Sequence, residues 1–236
     1  MKLSKLLTAL ALLGSFAYAQ NTAEGKKLLK PDSQTTQSKK VPAWMKADEF
    51  TVSTIEGKKI HLLSTKRGFT FDEGKGKVTL LVVWKADCKS CPQWLKNMEA
   101  LQKTFPNKVK VITLEMGNTQ KKQLEKLVKA KKADAKAIQK IIDKNHAALR
   151  SFAKQHHLTL PIISVLSNQG NLAFTMQTLY KFQFAKPRGK AKRGGGLPFT
   201  VVFGPEGQTA GITAGISDKK AYEAYIRKLI THYEKK

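Results

Sequence analysis

Two cysteines, Cys88 and Cys91, stand between a run typical of a buried strand and a run typical of a helix, and this arrangement constrains the fold most strongly. They are the only cysteines in the 236-residue chain. The preceding run, Val78–Trp84, is almost continuously apolar, as expected of a central strand covered on both faces. In the following run, Pro92 suits a first helical turn, and apolar residues recur at helical spacing: Trp94, Leu95, Met98, Leu101 and Phe105. The chain is therefore predicted to be an α/β protein with a dithiol at a strand-to-helix junction.

In this position the first cysteine is predicted to be reactive. Cys88 is expected at the start of the helix, where free amide groups and the helix dipole favour an anion. Its pKa should therefore lie below the ~8.5 of a free cysteine. The neighbouring Lys89 adds positive potential that also favours the thiolate. A nucleophilic thiolate close to a second thiol is the minimum that thiol–disulfide exchange requires.

A CxxC pair is also compatible with half of a zinc site, with a short structural disulfide, or with a chance pair of cysteines. A structural zinc site usually needs four ligands, so two would have to be histidines. None of the five histidines has a finger-like spacing to the pair: His61, His146, His156, His157 and His232. A structural disulfide that closes so small a loop constrains the unfolded chain little. The zinc site and the structural disulfide are therefore disfavoured relative to a redox-active pair.

The first 19 residues are predicted to be a secretory signal peptide. Lys2 and Lys5 precede an apolar stretch, Leu6–Phe16, and cleavage is expected after Ala19 of the small-x-small sequence Ala17-Tyr18-Ala19. The apolar stretch is shorter than the ~20 residues of a spanning helix, so an uncleaved anchor is the less favoured alternative. The predicted location is the bacterial periplasm, where disulfides form and persist. A dithiol that stays reduced there needs a dedicated electron donor.

The chain is strongly basic, with a formal net charge of +26 at pH 7. Such a charge attracts anionic lipid head groups, acidic proteins or nucleic acid. Export argues against nucleic acid, and the sequence has no helix-turn-helix, zinc-finger or aromatic RNA-binding pattern. An anionic membrane surface, an acidic protein partner and simple solubility remain as interpretations.

Residues 20–43 are predicted to be a flexible polar lead-in, and residues 44–236 one domain. Residues 119–156 are predicted to be a helical insertion of two segments whose lysine-rich faces are solvated. The remaining elements follow from apolar runs, glycine turns and a helix cap. They are a hairpin of Phe50–Ile55 and Lys59–Leu63, strands at Val109–Leu114, Pro161–Leu166 and Leu197–Phe203, a returning strand Gln208–Thr213, and a helix capped by Asp218 that runs to about Tyr233.

Residues 181–196 are predicted to be a mobile basic loop that ends in three glycines. It carries five cations: Lys186, Arg188, Lys190, Lys192 and Arg193. Because the loop runs directly into Pro198, it is expected to steer an acidic partner or the membrane surface toward the dithiol. Such steering would appear in the association rate and fade as salt screens it. The alternative is a solvated loop without a partner.

The order strand, CxxC, helix, strand, helices, Leu-Pro, hairpin, helix resembles the thioredoxin fold. The chain resembles most closely the exported thioredoxin-like reductases of the TlpA, ResA and CcmG type. Three segments carry this resemblance: the hairpin around Glu56-Gly57-Lys58, the approach Gly76–Trp84 to Cys88, and Gly196–Gly207. The match covers roughly residues 48–118 and 158–233.

The resemblance implies a cis peptide bond at Leu197-Pro198, a thioredoxin-like feature that faces the dithiol, with Pro161 as a weaker competitor. It implies that Leu197 and Pro198, with Trp84 beside the motif, bind the substrate. Cys88 would attack a substrate disulfide and Cys91 would resolve the mixed disulfide, with no cofactor and no metal. The family also implies a disulfide-containing protein substrate such as apocytochrome c, and a membrane electron donor of the DsbD or CcdA type.

The chain departs from this family at its usual proton acceptors. Val82 replaces the buried acid of thioredoxin, and Trp94 replaces the glutamate that these reductases usually carry after the second cysteine. Glu115, at the end of the neighbouring strand, and Asp87, just before Cys88, are the nearest candidates for this work. The alternative interpretation is that both are surface carboxylates.

Two other functional classes use the same cysteines. A Dsb-like oxidase or isomerase would run the exchange in the opposite direction, and a reduction potential would separate it from a reductase. A thioredoxin-like copper-delivery protein would bind copper through the cysteines and a histidine. That class shares a proline directly after the second cysteine, which is Pro92 here, but spaces its cysteines one residue further apart.

Overall fold

The computed structural model describes residues 49–65, 68–117, 134–168 and 197–235. Eight strands and three longer helices, with one short 3-10 helix at Asp72–Gly74, make up the described part of the chain. The strands are β1 Glu49–Ser53, β2 Lys59–Thr65, β3 Gly68–Phe71, β4 Val78–Trp84, β5 Val109–Glu115, β6 Ile162–Ser164, β7 Phe199–Phe203 and β8 Thr209–Ala214. The helices are α1 Cys91–Thr104, α2 Ala135–Gln155 and α3 Lys219–Glu234.

The centre of the fold is a five-stranded sheet of order β6-β5-β4-β7-β8. The strand that leads to the cysteines, β4, lies in the middle, parallel to β5 and antiparallel to β7. Every residue of β4 is buried, which explains its continuous apolar sequence. The dithiol therefore follows the central, fully buried strand of the sheet.

Two apolar clusters cover the two faces of this sheet. On one face, alternate residues of β4, among them Leu80, Val82 and Trp84, pack with Cys91 and with apolar residues of all three helices. On the other face, Leu81 and Val83 pack with residues of β1, β2 and β3. The period-2 alternation of β4 thus divides its side chains between a helical layer and a layer of strands.

The second layer is a three-stranded antiparallel meander of order β1-β2-β3. The predicted hairpin is present, and Gly57 at its turn has a φ of +85°, in the left-handed region that favours glycine. The meander is tied to the edge strand β6 by a bridge between Thr54 and Ile163. At the same place the Asn168 side chain accepts a hydrogen bond from the Ser53 amide at 2.7 Å and donates one to the Ser53 carbonyl at 2.9 Å.

Most predicted elements are present within the described residues, with shifted ends. The strand predicted at Pro161–Leu166 is shorter, Ile162–Ser164. Asp218 caps the last helix as predicted, because its carboxylate accepts a hydrogen bond from the Ala221 amide at 2.8 Å. The strand β3 was not predicted. Helix α2 accounts for the second half of the predicted insertion.

Several sequence predictions lie outside the described residues. These are the signal peptide 1–19, the lead-in 20–43, the first helix of the insertion and the basic loop 181–196. Within the described ranges, none of the helices combines the length and the apolar character that a membrane crossing requires.

Candidate active site

Cys88 and Cys91 form a disulfide at the junction of β4 and α1, with their Cα atoms 5.4 Å apart. Cys91 is 0% exposed and packs in the core cluster of the helical face, whereas Cys88 is only partly buried. The β4 sequence causes this asymmetry, since its buried strand ends at Trp84 and the chain then turns outward before α1 begins. Of the two bonded residues, Cys88 is therefore the more accessible from solvent.

The helix start differs from the sequence expectation. Helix α1 begins at Cys91, with Ser90 in the N-cap position and Pro92 in the first turn, so Cys88 precedes the helix instead of opening it. The reason is a turn in which the Cys91 amide donates a hydrogen bond to the Cys88 carbonyl at 3.2 Å. Cys88 still lies in front of the helix N-terminus, where the dipole favours an anion.

Two polar groups lie close to the Cys88 sulfur. The Ser90 hydroxyl oxygen is 3.5 Å from Cys88 Sγ, and the Leu197 carbonyl oxygen is 3.6 Å from it. Ser90 was not among the residues predicted from the sequence. Its position two residues after the nucleophile was the available signal, because a hydroxyl there can donate a hydrogen bond to a thiolate.

The Leu197-Pro198 peptide bond is cis, and its loop runs past the disulfide. Leu197 is partly exposed, whereas Pro198 is buried. The Pro198 carbonyl already accepts a hydrogen bond from the Gly215 amide at 2.7 Å. Of these two residues, Leu197 therefore presents the backbone carbonyl that faces the reactive sulfur.

Trp84 does not have the substrate-binding position expected for it. Its side chain is 0% exposed and stacks on the Phe152 ring, with the ring centroids 4.9 Å apart. Helix α2, which carries Phe152, covers the indole and leaves it no surface for a substrate. Trp84 instead supports the dithiol from inside the core, where it belongs to the same cluster as Cys91.

Uncharged groups occupy the positions where related reductases carry acids. Val82 is fully buried and pairs with Thr200 across β4 and β7. The Trp94 indole nitrogen donates a hydrogen bond of 2.9 Å to the Thr200 hydroxyl, and the Trp94 ring meets the edge of Tyr222. Trp94, which belongs to the same core cluster as Cys91, is thus hydrogen-bonded to a neutral hydroxyl, and neither Val82 nor Trp94 brings a carboxyl to this cluster.

Glu115 is a buried carboxyl at the end of β5, so the interpretation of it as a surface carboxylate is wrong. It is 2% exposed and pairs in register with Trp84. Its pKa is raised from 4.5 to about 7, chiefly by burial and to a smaller extent by the charge of Asp87, against the lowering effects of the Gly117 amide, Asn145 and Lys85. Asp87 itself is exposed, as is Lys89, so both of these sequence candidates lie at the surface.

Among the residues that the structure describes, the side chains of His, Cys, Asp and Glu form no cluster of three that could hold a metal ion.

The chain is similar to known proteins over most of its length. The model of the AhpC/TSA family matches residues 43–211. The thioredoxin-like protein YneN of Bacillus subtilis is 27% identical over 131 residues, which cover 54% of this chain and 58% of that relative. The match thus spans little more than half the length of the curated relative.

Several solved structures are similar to this chain at low sequence identity. A thioredoxin-family thiol:disulfide interchange protein from Chlorobium tepidum TLS is 14% identical, with a TM-score of 0.49 over 78% of this chain and 94% of that one. StoA from Bacillus subtilis is 16% identical, with a TM-score of 0.44 over 78% of this chain and 97% of that one. A secreted disulfide oxidoreductase from Mycobacterium tuberculosis is 15% identical, with a TM-score of 0.43 over 80% of this chain and all of that one.

Proposed function

Because this chain belongs to the AhpC/TSA family of thioredoxin-like proteins, we propose that it is a thiol:disulfide oxidoreductase that acts through Cys88 and Cys91. The observation that carries the proposal is the unequal burial of the two bonded sulfurs, with Cys88 accessible and Cys91 enclosed. An external sulfur can exchange only with Cys88. Cys91, which is held next to Cys88, can then attack the mixed disulfide and complete the exchange.

In the reduced protein the Cys88 thiolate attacks a substrate disulfide. A mixed disulfide forms between Cys88 and one substrate sulfur, and the other substrate sulfur leaves as a thiolate. Cys91 loses its proton and attacks Cys88 Sγ, which restores the internal disulfide and releases the second substrate thiolate. The protein gives up two electrons and the substrate gains them. The Ser90 hydroxyl supplies a hydrogen bond to the Cys88 thiolate before the attack.

Leu197 is proposed to orient the substrate segment. Its carbonyl lies next to the Cys88 sulfur and is available to accept a hydrogen bond from a substrate amide. Pro198, whose own carbonyl is engaged with Gly215, fixes the course of the loop. The sequence predicted that Leu197 and Pro198 both contact the substrate. We assign this contact to Leu197 alone.

We further propose that the protein works outside the cytoplasm, in a periplasm, as a reductase. The motif and loop sequences that resemble exported reductases support this direction, and an oxidised apocytochrome c with a CxxCH motif is the substrate that such a reductase suits. A membrane electron donor of the DsbD or CcdA type would return the protein to its reduced state. An anionic membrane surface would attract the basic chain to that donor.

The reduction potential is expected to lie nearer the ~−270 mV of thioredoxin than the ~−120 mV of DsbA. Equilibration of the protein with glutathione buffers, followed by alkylation of free thiols, measures it. A potential above about −160 mV on the same scale would assign the protein to the oxidases.

One observation favours an oxidase as the second candidate. Val82 and Trp94 stand at the sequence positions where thioredoxin and similar reductases carry acids, and the Trp94 indole is hydrogen-bonded to the neutral Thr200 hydroxyl. Without a charge there, the Cys88 thiolate meets less repulsion, so the reduced form is stabilised, as it is in strong oxidants. The measurement of the reduction potential described above distinguishes a reductase from an oxidase.

A further inference from the structure

We propose that Glu115 is coupled to the dithiol, taking up a proton when the Cys88–Cys91 disulfide is reduced and releasing it when the disulfide forms again. This proposal rests on the proposed function only for the direction of electron flow. Glu115 would influence the Cys88 thiolate through its own charge and would not react with sulfur itself. Its role is therefore that of a positioning residue and not of a catalytic one. It would do the work of the acids that Val82 and Trp94 replace.

The first support is the place of Glu115 in the sheet. It pairs in register with Trp84, and its side chain shares a face of the sheet with Val82, Trp84 and Cys91. Trp84 is the last residue of the strand that leads to the cysteines. The carboxyl is therefore held at the end of the sheet where the dithiol lies.

The second support is a pair of buried polar atoms without partners. Among the described residues, Glu115 Oε2 and Trp84 Nε1 are both buried and have no hydrogen-bond partner. Glu115 Oε1 accepts one hydrogen bond, from the Gly117 amide at 2.6 Å. The Asn145 amide, which donates a hydrogen bond to Ser164 Oγ, is a further polar group near the carboxyl. A buried carboxylate with so few partners is costly, whereas a proton on Oε2 breaks none of these hydrogen bonds, so Glu115 can take up a proton in place.

The third support is the set of charges that act on the carboxyl. Asp87 and Lys85, both in the loop that carries Cys88, are the charged groups that influence it. The other elements packed around it contribute uncharged polar groups, Asn145 from α2 and Ser164 from β6. Since the negative charge of Asp87 raises the pKa of Glu115, a thiolate at the next residue should act with the same sign.

The proton balance follows from this sign. Reduction adds two electrons to the disulfide and leaves Cys88 as a thiolate and Cys91 as a thiol, which takes one proton from solvent. The new thiolate raises the pKa of Glu115 above its value in the disulfide form, so a second proton binds to the carboxyl. When the protein reduces a substrate, Cys91 and Glu115 both return their protons to solvent.

The test is the pH dependence of the reduction potential of the full-length protein between pH 5.5 and 8.5. The pKa of Glu115 in the disulfide form is about 7, so the extra proton uptake should begin there and continue upward until the raised pKa of the reduced form is passed. In that window the potential of the native protein should fall more steeply with rising pH. In Glu115→Gln the additional steepness should be lost, while the amide oxygen can still accept the Gly117 hydrogen bond.

Glu99→Gln is the matched control. Glu99 is also a buried carboxyl, 5% exposed, but it lies on α1 and is bonded to Thr159 and Lys103. The reduction potential of this variant should fall with rising pH as steeply as that of the native protein. An identical slope in the native protein and in Glu115→Gln would overturn the proposal.

A second measurement protects the test against a variant that fails to fold. In the native protein labelled with 13C-glutamate, the Glu115 carboxyl should titrate with a higher midpoint after reduction of the disulfide than before. Equal midpoints in the two forms would also refute the coupling. Potentials measured against small thiols need no protein substrate, so a failure to reduce protein disulfides would count against the proposed function and not against Glu115.

Discussion

Replacing Cys88 with serine is expected to abolish disulfide exchange, and replacing Cys91 with serine is expected to trap the substrate as a stable mixed disulfide on Cys88. The partly exposed sulfur of Cys88 is the only one of the two that a substrate can reach. Without Cys91, the mixed disulfide has no internal thiol to resolve it. Reduction of an oxidised CxxCH peptide, followed by electrophoresis without a reductant, measures both effects.

The order of alkylation provides an independent check of these roles. In the reduced native protein near neutral pH, a limiting amount of iodoacetamide should modify Cys88 before Cys91, because Cys91 is enclosed in the core. Peptide mapping by mass spectrometry identifies the modified residue. Modification of Cys91 first would reverse the assignment of nucleophile and resolving thiol.

Truncation of Trp94 to alanine is expected to destabilise the protein by about 3–5 kcal/mol, as for other buried aromatic side chains. Trp94 is 0% exposed, packs against Tyr222 and donates the hydrogen bond to Thr200. The substitution opens a cavity directly under α1 and leaves the Thr200 hydroxyl without its donor. Urea denaturation of the oxidised protein measures the free energy of unfolding.

A double-mutant cycle separates the cavity from the hydrogen bond. Trp94→Phe keeps most of the ring and leaves the Thr200 hydroxyl buried without its partner, whereas adding Thr200→Val removes the hydroxyl as well. We expect the double variant to be more stable than Trp94→Phe alone. The Thr200→Val single variant completes the cycle, and if the two single effects add up to the effect of the double variant, the hydrogen bond contributes nothing beyond packing.

The sequence was sufficient for the strand that leads to the dithiol, because all seven residues of Val78–Trp84 are buried and nearly all are apolar. It was not sufficient for the environment of Trp84, since its cover comes from Phe152, far away in the chain. A sequence pattern reports which face of an element is apolar. It does not report which distant element will cover that face.

The sequence of β5 contained a signal for the burial of Glu115, but another consideration outweighed it. In β5, residues Val109, Val111 and Thr113 alternate with their neighbours and share a face with Glu115, and that face is buried. The ordinary preference of carboxylates for the surface favoured the opposite interpretation. The strand β3 was missed for a simpler reason, because four residues are too few for a periodic pattern to emerge.

The contacts between the meander and strand β6 bear on the solubility of the protein. An exposed edge strand offers free amide and carbonyl groups to a neighbouring molecule and so invites intermolecular strand addition. Here Thr54, the Ile55 amide and the Asn168 side chain engage the chain at β6, so this edge is closed within the molecule. Along this stretch of β6, the sheet therefore offers no template for the addition of a strand from a second molecule.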